Sequence, residues 1–514
     1  MQIFHQAALA AWLLFLLGGL FIVYMFSSGK PDRCSFASRI VCVLAALTMG
    51  VGVYFGNPFE DVDFHADIPL LIAFALYFYF LFSSLSRFPW QTFFPRQARP
   101  GKAKPTQIIF LAAVLLFVLA ILYKPFFPYR QSPDTVNQWK QIHGLLQYNK
   151  IHAIGHTIFL KAILSVWDNY TCVIIVHILS IILLYLLFAA YFLSKGMNIK
   201  TIAFIYGLSL LWTRQSTFAF FYPWKDLPAS VCIGLITFFI VYFQDKKSLT
   251  AAEAFFLGLA LAWCALFRLN GIIAAVICGL VFSVLLWRRA LFRQLCAMAL
   301  AIVLSVAGVA AYSSLVLKPA DYENGFSIQV FGSGIAAVAA NDHLLPKEEA
   351  DISAYLPLEW MQAHYPSFLE KKELIWEPDE SEQIMQDPEL SIFNNEFVMK
   401  LGENKKEVIL LYLRLLPRHF PTMLKDIAGS VKMVWILDDP FFPCCHSFLV
   451  MALLVLLVRS RLHFRDMLIF LPCLCNTVSI MISTITNEIR YLLPTFLLFP
   501  IFLCFLLYKE ETLA

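Results

Sequence analysis

Charge is what this 514-residue chain has least of: Asp, Glu, Lys and Arg make up only 14% of it, against roughly 25% in soluble globular domains. A charged side chain costs roughly 2.5–3.5 kcal/mol at a bilayer centre, so depletion of this kind marks a chain adapted to hydrocarbon. With 60% hydrophobic residues and a mean hydropathy of +0.71, a water-soluble globular chain is excluded and an all-α integral membrane protein is expected. No C-x-x-C pair occurs among the twelve cysteines, and most lie inside apolar runs, where cysteine acts as a small hydrophobe. Cys444, Cys445 and His446 cluster near a surface but lack metal-ligand spacing. The first apolar run has no basic segment before it and is longer than a signal h-region, so it reads as a retained span. No internal repeat or low-complexity tract is present, and nucleic acid is not an expected partner.

Apolar runs near the ~20 residues that cross ~30 Å of hydrocarbon can be counted directly. They fall at about 7–27, 38–55, 68–85, 107–123, 171–194, 201–214, 226–243, 252–267, 270–287, 294–317, 446–458, 467–485 and 491–508, about thirteen spans. Every second connection is basic. Lys30, Arg33 and Arg39 are followed by Arg87, Arg96, Arg99, Lys102 and Lys104, and then by Lys195 and Lys200. Lys246 and Lys247, then Arg288, Arg289 and Arg293, then Arg459, Arg461 and Arg465 continue the series, and Lys509 lies in the tail. By the positive-inside rule these loops of a plasma-membrane protein face the cytoplasm, with the amino terminus outside and the carboxyl terminus inside.

Four regions follow: three leading spans with an acidic outer loop (1–106), core spans around an outer loop at 124–170 (107–317), a large outer loop (318–445) and the closing spans (446–514). In the large loop, FVMKLGENKKEVILLYLRLLPRHFPTMLKDIAGSVKMVWIL alternates apolar and basic residues at helical spacing. That pattern predicts amphipathic helices on the outer leaflet; a small domain with its own core is the alternative.

Ionisable residues are scarce inside the spans, Glu253 being a rare exception near a cytoplasmic end. A pore or ion-coupled transporter would place them there. The outer ends differ: Lys225 and Asp226 stand in FYPWKDLP, Arg268 and Asn270 in FRLNG, and Glu488, Arg490 and Tyr491 in NEIRYLLP. Charges at span ends commonly snorkel to headgroups. Three basic outer positions nevertheless run against the positive-inside bias, and together they could bind a phosphate or pyrophosphate.

In SPDTVNQWKQ, Ser132 is positioned as an N-cap and Pro133 as the first helical residue. Asp134 then falls in the first turn, where the helix dipole favours a carboxylate. Such a carboxylate could accept a proton or hold a metal, although an acid at a helix start more often only improves capping. Gln138 and Gln141 follow on the same face. His152 and His156 have zinc-compatible i, i+4 spacing, but H-E-x-x-H is absent, so contact with substrate or backbone is the expected role. Asp61 and Asp63 form a D-x-D pattern that elsewhere holds a divalent cation across phosphates, the one cofactor the sequence suggests. The sequon at Asn169 bears only on a secretory-pathway protein.

The order of these parts resembles the C-fold (GT-C) superfamily of polytopic glycosyltransferases over roughly 107–510. It runs from SPDTVNQWKQ and IHAIGHT through WKD and FRLNG to the long outer loop and EIRYLLP. The resemblance implies a GT-C-like fold and an inverting transfer of sugar from a polyprenyl-phosphate donor to a hydroxyl of a glycan or lipid acceptor. It implies Asp134 as the base and Lys225, Arg268 and Arg490 as phosphate partners. Related chains often carry His-Pro where this one has His152-Ala153, and Asp226 is the nearest match to a second acidic motif. The alternatives are a polysaccharide polymerase or ligase, a lipid-linked saccharide transporter, and a membrane scaffold.

Overall fold

The computed structural model describes residues 36–56, 64–87, 101–148, 152–213, 218–319, 328–365, 396–430, 446–460, 466–483 and 489–513. Among them no strand occurs, and most of these residues lie in helices. Among the described residues six segments are long and apolar enough to cross a membrane: Pro105–Phe126, Tyr170–Ser194, Asp226–Lys246, Gly271–Arg288, Phe292–Leu317 and Arg490–Tyr508. Shorter apolar helices lie over six more of the runs read from sequence, and the first run, 7–27, lies outside the described residues. The surface of the long helices carries Phe117 at 68%, Leu183 at 66% and Leu280 at 61% exposure. Monomers in water rarely expose apolar area on this scale; hydrocarbon solvates it.

The leading helices α1 (Phe36–Gly56), α2 (Phe64–Arg87) and α3 (Pro105–Tyr123) precede two short helices, α4 (Pro133–Ile142) and α5 (Ile154–Leu164). Then come α6 (Tyr170–Ser194), α7 (Ile199–Trp212), α8 (Asp226–Lys246), α9 (Ala251–Phe267), α10 (Gly271–Arg288) and α11 (Phe292–Tyr312). Helix α8 packs against α6, α9 and the last helix, α19 (Leu493–Leu513), and is among the most buried spans. Glu253 has a structural reason for its place: it closes a capping box with Thr250 at the start of α9, each backbone N–H donating to the other's side chain.

The large loop does not spread as separate amphipathic helices. Helices α12 (Gln329–Asn341), α13 (Pro346–Ser353), α14 (Leu358–His364), α15 (Glu396–Glu403) and α16 (Lys405–Ser430) share a hydrophobic cluster separate from that of the spans. Val408, Leu411, Leu415 and Met423 form one face of α16 and sink into it beside Ile335 and Val338. That cluster fits the small-domain alternative for this face of α16, while Leu410, Leu413, Phe420 and Leu424 of the same helix stay exposed. The chain closes through α17 (His446–Ser460), α18 (Leu471–Ser483) and α19.

One close approach sets where the short helix α5 sits. A Cβ built on Gly155, at the start of α5, would lie 2.5 Å from the carbonyl oxygen of Leu266 in α9. Only glycine lets these backbones meet, and the next residue is His156. Gly155→Ala is therefore expected to push α5 off α9 and cost about 1–3 kcal/mol. Thermal unfolding of the purified variant checks this, and an unchanged Tm would refute it.

Candidate functional site

The site begins at the start of α4. Ser132 is its N-cap, in extended geometry (φ −130°, ψ 166°), and Pro133 is the first helical residue. Ser132 N–H donates to Thr135 Oγ1 at 2.8 Å, and Ser132 Oγ accepts from Thr135 N–H at 3.4 Å. The same Oγ accepts the indole N–H of Trp224 at 2.8 Å, and the Tyr170 hydroxyl donates to the Thr135 carbonyl at 2.6 Å. A short loop helix is thereby tied to the turn before α8 and to the first residue of α6. These bonds fix the position of Asp134.

Asp134 Oδ2 accepts from the Arg490 guanidinium at 3.0 Å, across 356 positions of sequence. Arg490 lies over Trp224, with 4.5 Å from Cζ to the ring centroid, and beside Tyr491 at 5.3 Å. Arg268 covers the Tyr491 ring at 4.4 Å and pairs with the buried carboxylate of Asp226. A planar, weakly hydrated guanidinium suits such a sandwich of carboxylate and aromatic face. Lys225 joins the group electrostatically: it feels Asp134 and Asp226 as attractive charges and Arg490 and Arg268 as repulsive ones. Burial lowers its pKa, the two carboxylates oppose that, and the net direction is down. Among the described residues Lys225 has no ion pair or hydrogen bond. It is the cation of this cluster whose charge no carboxylate already takes up by direct contact.

Burial alone would raise the Asp134 pKa. Arg490, His152 and Lys225 outweigh it and hold the carboxyl well below the usual carboxylate range. The side chain keeps 23% of its exposure, so the charge is reachable from outside.

Behind Asp134 the polar face of α4 turns inward. Gln138 and Gln141 are buried; the Gln138 amide donates to Thr157 Oγ1 at 3.2 Å, and its carbonyl stands 3.1 Å from His156 Nδ1. The Gln141 amide donates to Asn137. Among the described residues, both ring nitrogens of buried His152, Nε2 of His156 and Oε1 of Gln141 have no hydrogen-bond partner. Unmet polar atoms of this kind each cost about 1–3 kcal/mol, which points to a site shaped for a hydrogen-bonding ligand rather than for the fold alone.

Burial, with the nearby Lys225, pulls His152 down to about 4, and His156 falls well below the ordinary imidazole value, first through burial. Both rings are neutral at pH 7. The unfolded chain therefore binds more protons than the folded one as pH falls from about 6.5 toward 4, and stability drops over that window. For His152 alone the loss approaches roughly 3 kcal/mol. Asp134 acts mainly below this range, as pH falls from its ordinary value near 3.8 toward its depressed folded one. Thermal unfolding measured between pH 7 and pH 4 should show a falling Tm, with His152→Asn flattening the slope. An equally steep slope in that variant would contradict the assignment.

The structure thus brings together Asp134, Lys225, Asp226, Arg268, Arg490 and Tyr491, with Gln138, Gln141, His152 and His156 behind them. The sequence treated Arg268 and Arg490 as cations open to a phosphate. Each instead contacts a carboxylate, because a bare guanidinium in a buried pocket costs more than a paired one. Among the described residues Asn270 is not drawn in by any hydrogen bond: it precedes α10 in helical geometry without a side-chain cap. Glu488, Asp61, Asp63, Cys444 and Cys445 lie outside the described residues, and His446 stands 3.2 Å from Thr477 Oγ1. No group of three or more metal-ligating side chains occurs among the described residues. Trp224 and Thr157 are the members sequence reading missed; the aromatic before Lys225 in FYPWKDLP was the available signal. Comparison with protein-family models, with curated proteins and with solved structures finds no match.

Proposed function

We propose that the protein is a multi-pass membrane glycosyltransferase of the GT-C type, moving a sugar from a polyprenyl-phosphate donor to an acceptor hydroxyl at the outer face. The reading includes about thirteen spans, an outer amino terminus and a cytoplasmic carboxyl terminus. One observation carries it: the Asp134 carboxylate stands against Arg490, beside Lys225 and the Arg268–Asp226 pair. Asp226 opens α8 and Lys246 closes it, so this cluster and the basic loops lie at opposite ends of one span.

The chemistry follows from the charges. Lys225 receives the donor phosphate, which also draws on the guanidinium of Arg490. Sharing Arg490 weakens its hold on Asp134 and raises the basicity of a carboxylate that is otherwise too strongly stabilised to take a proton. The acceptor hydroxyl gives its proton to Asp134 as its oxygen bonds to the anomeric carbon. The carbon–oxygen bond to phosphate breaks, and the electron pair leaves with the lipid phosphate, where Lys225 and Arg490 stabilise it. One displacement inverts the anomeric centre. The neutral imidazoles and Gln141 offer donors and acceptors to sugar hydroxyls.

The cell-surface glycan of a strain lacking the protein tests this reading. Loss of one sugar, restored by the wild-type chain and not by Asp134→Asn, is the expected result. Loss of a whole ladder of repeat units would identify a polymerase or ligase instead.

A further inference from the structure

Two cavities meet along the faces of α6, α8 and α9, away from the candidate site. The larger, about 610 Å³, and the smaller, about 370 Å³, share Leu187, Phe238 and Tyr242 as walls and so form one groove. Phe256, 60% exposed, stands at its rim, so the groove opens sideways from the helix bundle. From Cys232 to Lys246 it follows α8 for about 21 Å at 1.5 Å per residue, more than half of a ~30 Å hydrocarbon core.

Its two ends differ in chemistry. Toward the candidate site its lining ends in Trp263 and Phe267, whose ring centroids are 5.1 Å apart. The Phe267 ring also packs edge-on against Phe159 at 5.3 Å and His156 at 6.4 Å. The opposite end is polar, with Ser194, Lys195, Asp245 and Lys246 around it. Lys195 pairs with Asp245. The Lys246 ammonium sits 4.3 Å over the Tyr242 ring and donates to its hydroxyl, which in turn donates to Glu253 at 2.6 Å. Lys246 has no ion pair among the described residues.

We propose that this groove holds one chain of a glycerophospholipid from the leaflet on the Lys246 side, with the headgroup phosphate at the Lys246 ammonium. An apolar groove inside hydrocarbon fills with a lipid chain because water has no partners there. The polar mouth decides which lipid. A donor lipid with its phosphate at Arg268 would need to pass the Phe267 end, where the Phe267 ring packs against Trp263, Phe159 and His156. A phospholipid entering from the other leaflet meets the exposed Lys246 ammonium, where Asp245 is already paired with Lys195 and Glu253 already accepts from Tyr242 and the Thr250 N–H. Through Phe267 such a lipid would back the wall behind His156. The inference rests on the membrane placement of these helices and not on sugar transfer.

The test uses the full chain in nanodiscs containing phosphatidylethanolamine, phosphatidylglycerol and polyprenyl phosphate. After detergent washing, the lipids that stay with the protein are counted by mass spectrometry. About one glycerophospholipid per chain is expected, with retention falling about fivefold in Lys246→Gln as one near-surface cation is lost. Leu235→Trp or Leu259→Trp, which fill the groove, should abolish it. Since Lys246 is exposed, Lys246→Gln decides the matter even where a tryptophan variant fails to fold. Retention of polyprenyl phosphate in place of phospholipid, equal retention in Lys246→Gln, or no retained lipid in the wild-type chain would overturn the proposal.

Discussion

Asp134→Asn is expected to lower the rate of sugar transfer by about 10²–10⁴-fold, the range for loss of a positioned general base. Asparagine keeps the volume and an oxygen that can accept from Arg490, so the bonds around Ser132 and Trp224 should survive and the protein should still fold. The defect should appear in kcat, with the donor KM little changed, because the carboxylate acts on the acceptor and not on the lipid phosphate. Asp134→Glu tests placement. It keeps the charge but moves it along the chain by one methylene, and a misplacement near 1 Å costs on the order of 10²-fold. Single-turnover kinetics on the two variants separate these effects. Normal transfer by Asp134→Asn would remove the base from the mechanism.

Arg490→Gln should have the next largest effect, and a different signature. Arg490 touches Asp134 and covers Trp224, so its loss weakens donor binding and removes charge from the leaving phosphate. A fall of about 10²–10³-fold in kcat, with a raised donor KM, is expected from loss of one such electrostatic contact. Arg490→Lys should recover only part of it, since an ammonium lacks the planar fork that spans carboxylate and phosphate together. Removing Arg490 also leaves Asp134 without its guanidinium partner. For a carboxylate that keeps 23% exposure, the stability loss should be about 1–3 kcal/mol, below the 3–5 kcal/mol of a fully buried pair. Combining Asp134→Asn with Arg490→Gln should cost less stability than the sum of the single changes, since either one already ends the pairing of opposite charges. Strict additivity would mean that the two groups do not act together.

Much of the helix pattern was legible because the hydrocarbon requirement writes itself into long apolar runs. The start of α4 was legible residue by residue, since Ser132 and Pro133 carry the chemistry of a helix start wherever they occur. The loop domain was harder to read. The face of α16 that carries Val408 and Leu415 has the same spacing whether it meets lipid or protein, and only the presence of Ile335 and Val338 opposite it decides. The site residues could be picked out as outer charges against the positive-inside bias, but their pairing could not. Nothing in the sequence says that Arg490 meets Asp134 or that Arg268 meets Asp226, because those contacts depend on how distant helices pack. Trp224 escaped notice for a related reason: its role comes from a hydrogen bond to Ser132 and a guanidinium over its face, both set by the fold.

Reconstituted sugar transfer is the most direct test of the Asp134–Arg490 cluster as a transferase site. Purified protein in proteoliposomes would be given a polyprenyl-phosphate donor with a labelled sugar, together with an acceptor on the face that carries Lys225. One sugar joined to the acceptor with inverted anomeric configuration is the expected result, and the product should vanish with Asp134→Asn. Labelled lipid on the opposite face with no covalent product, unaffected by Asp134→Asn, would contradict it and leave a transporter in its place.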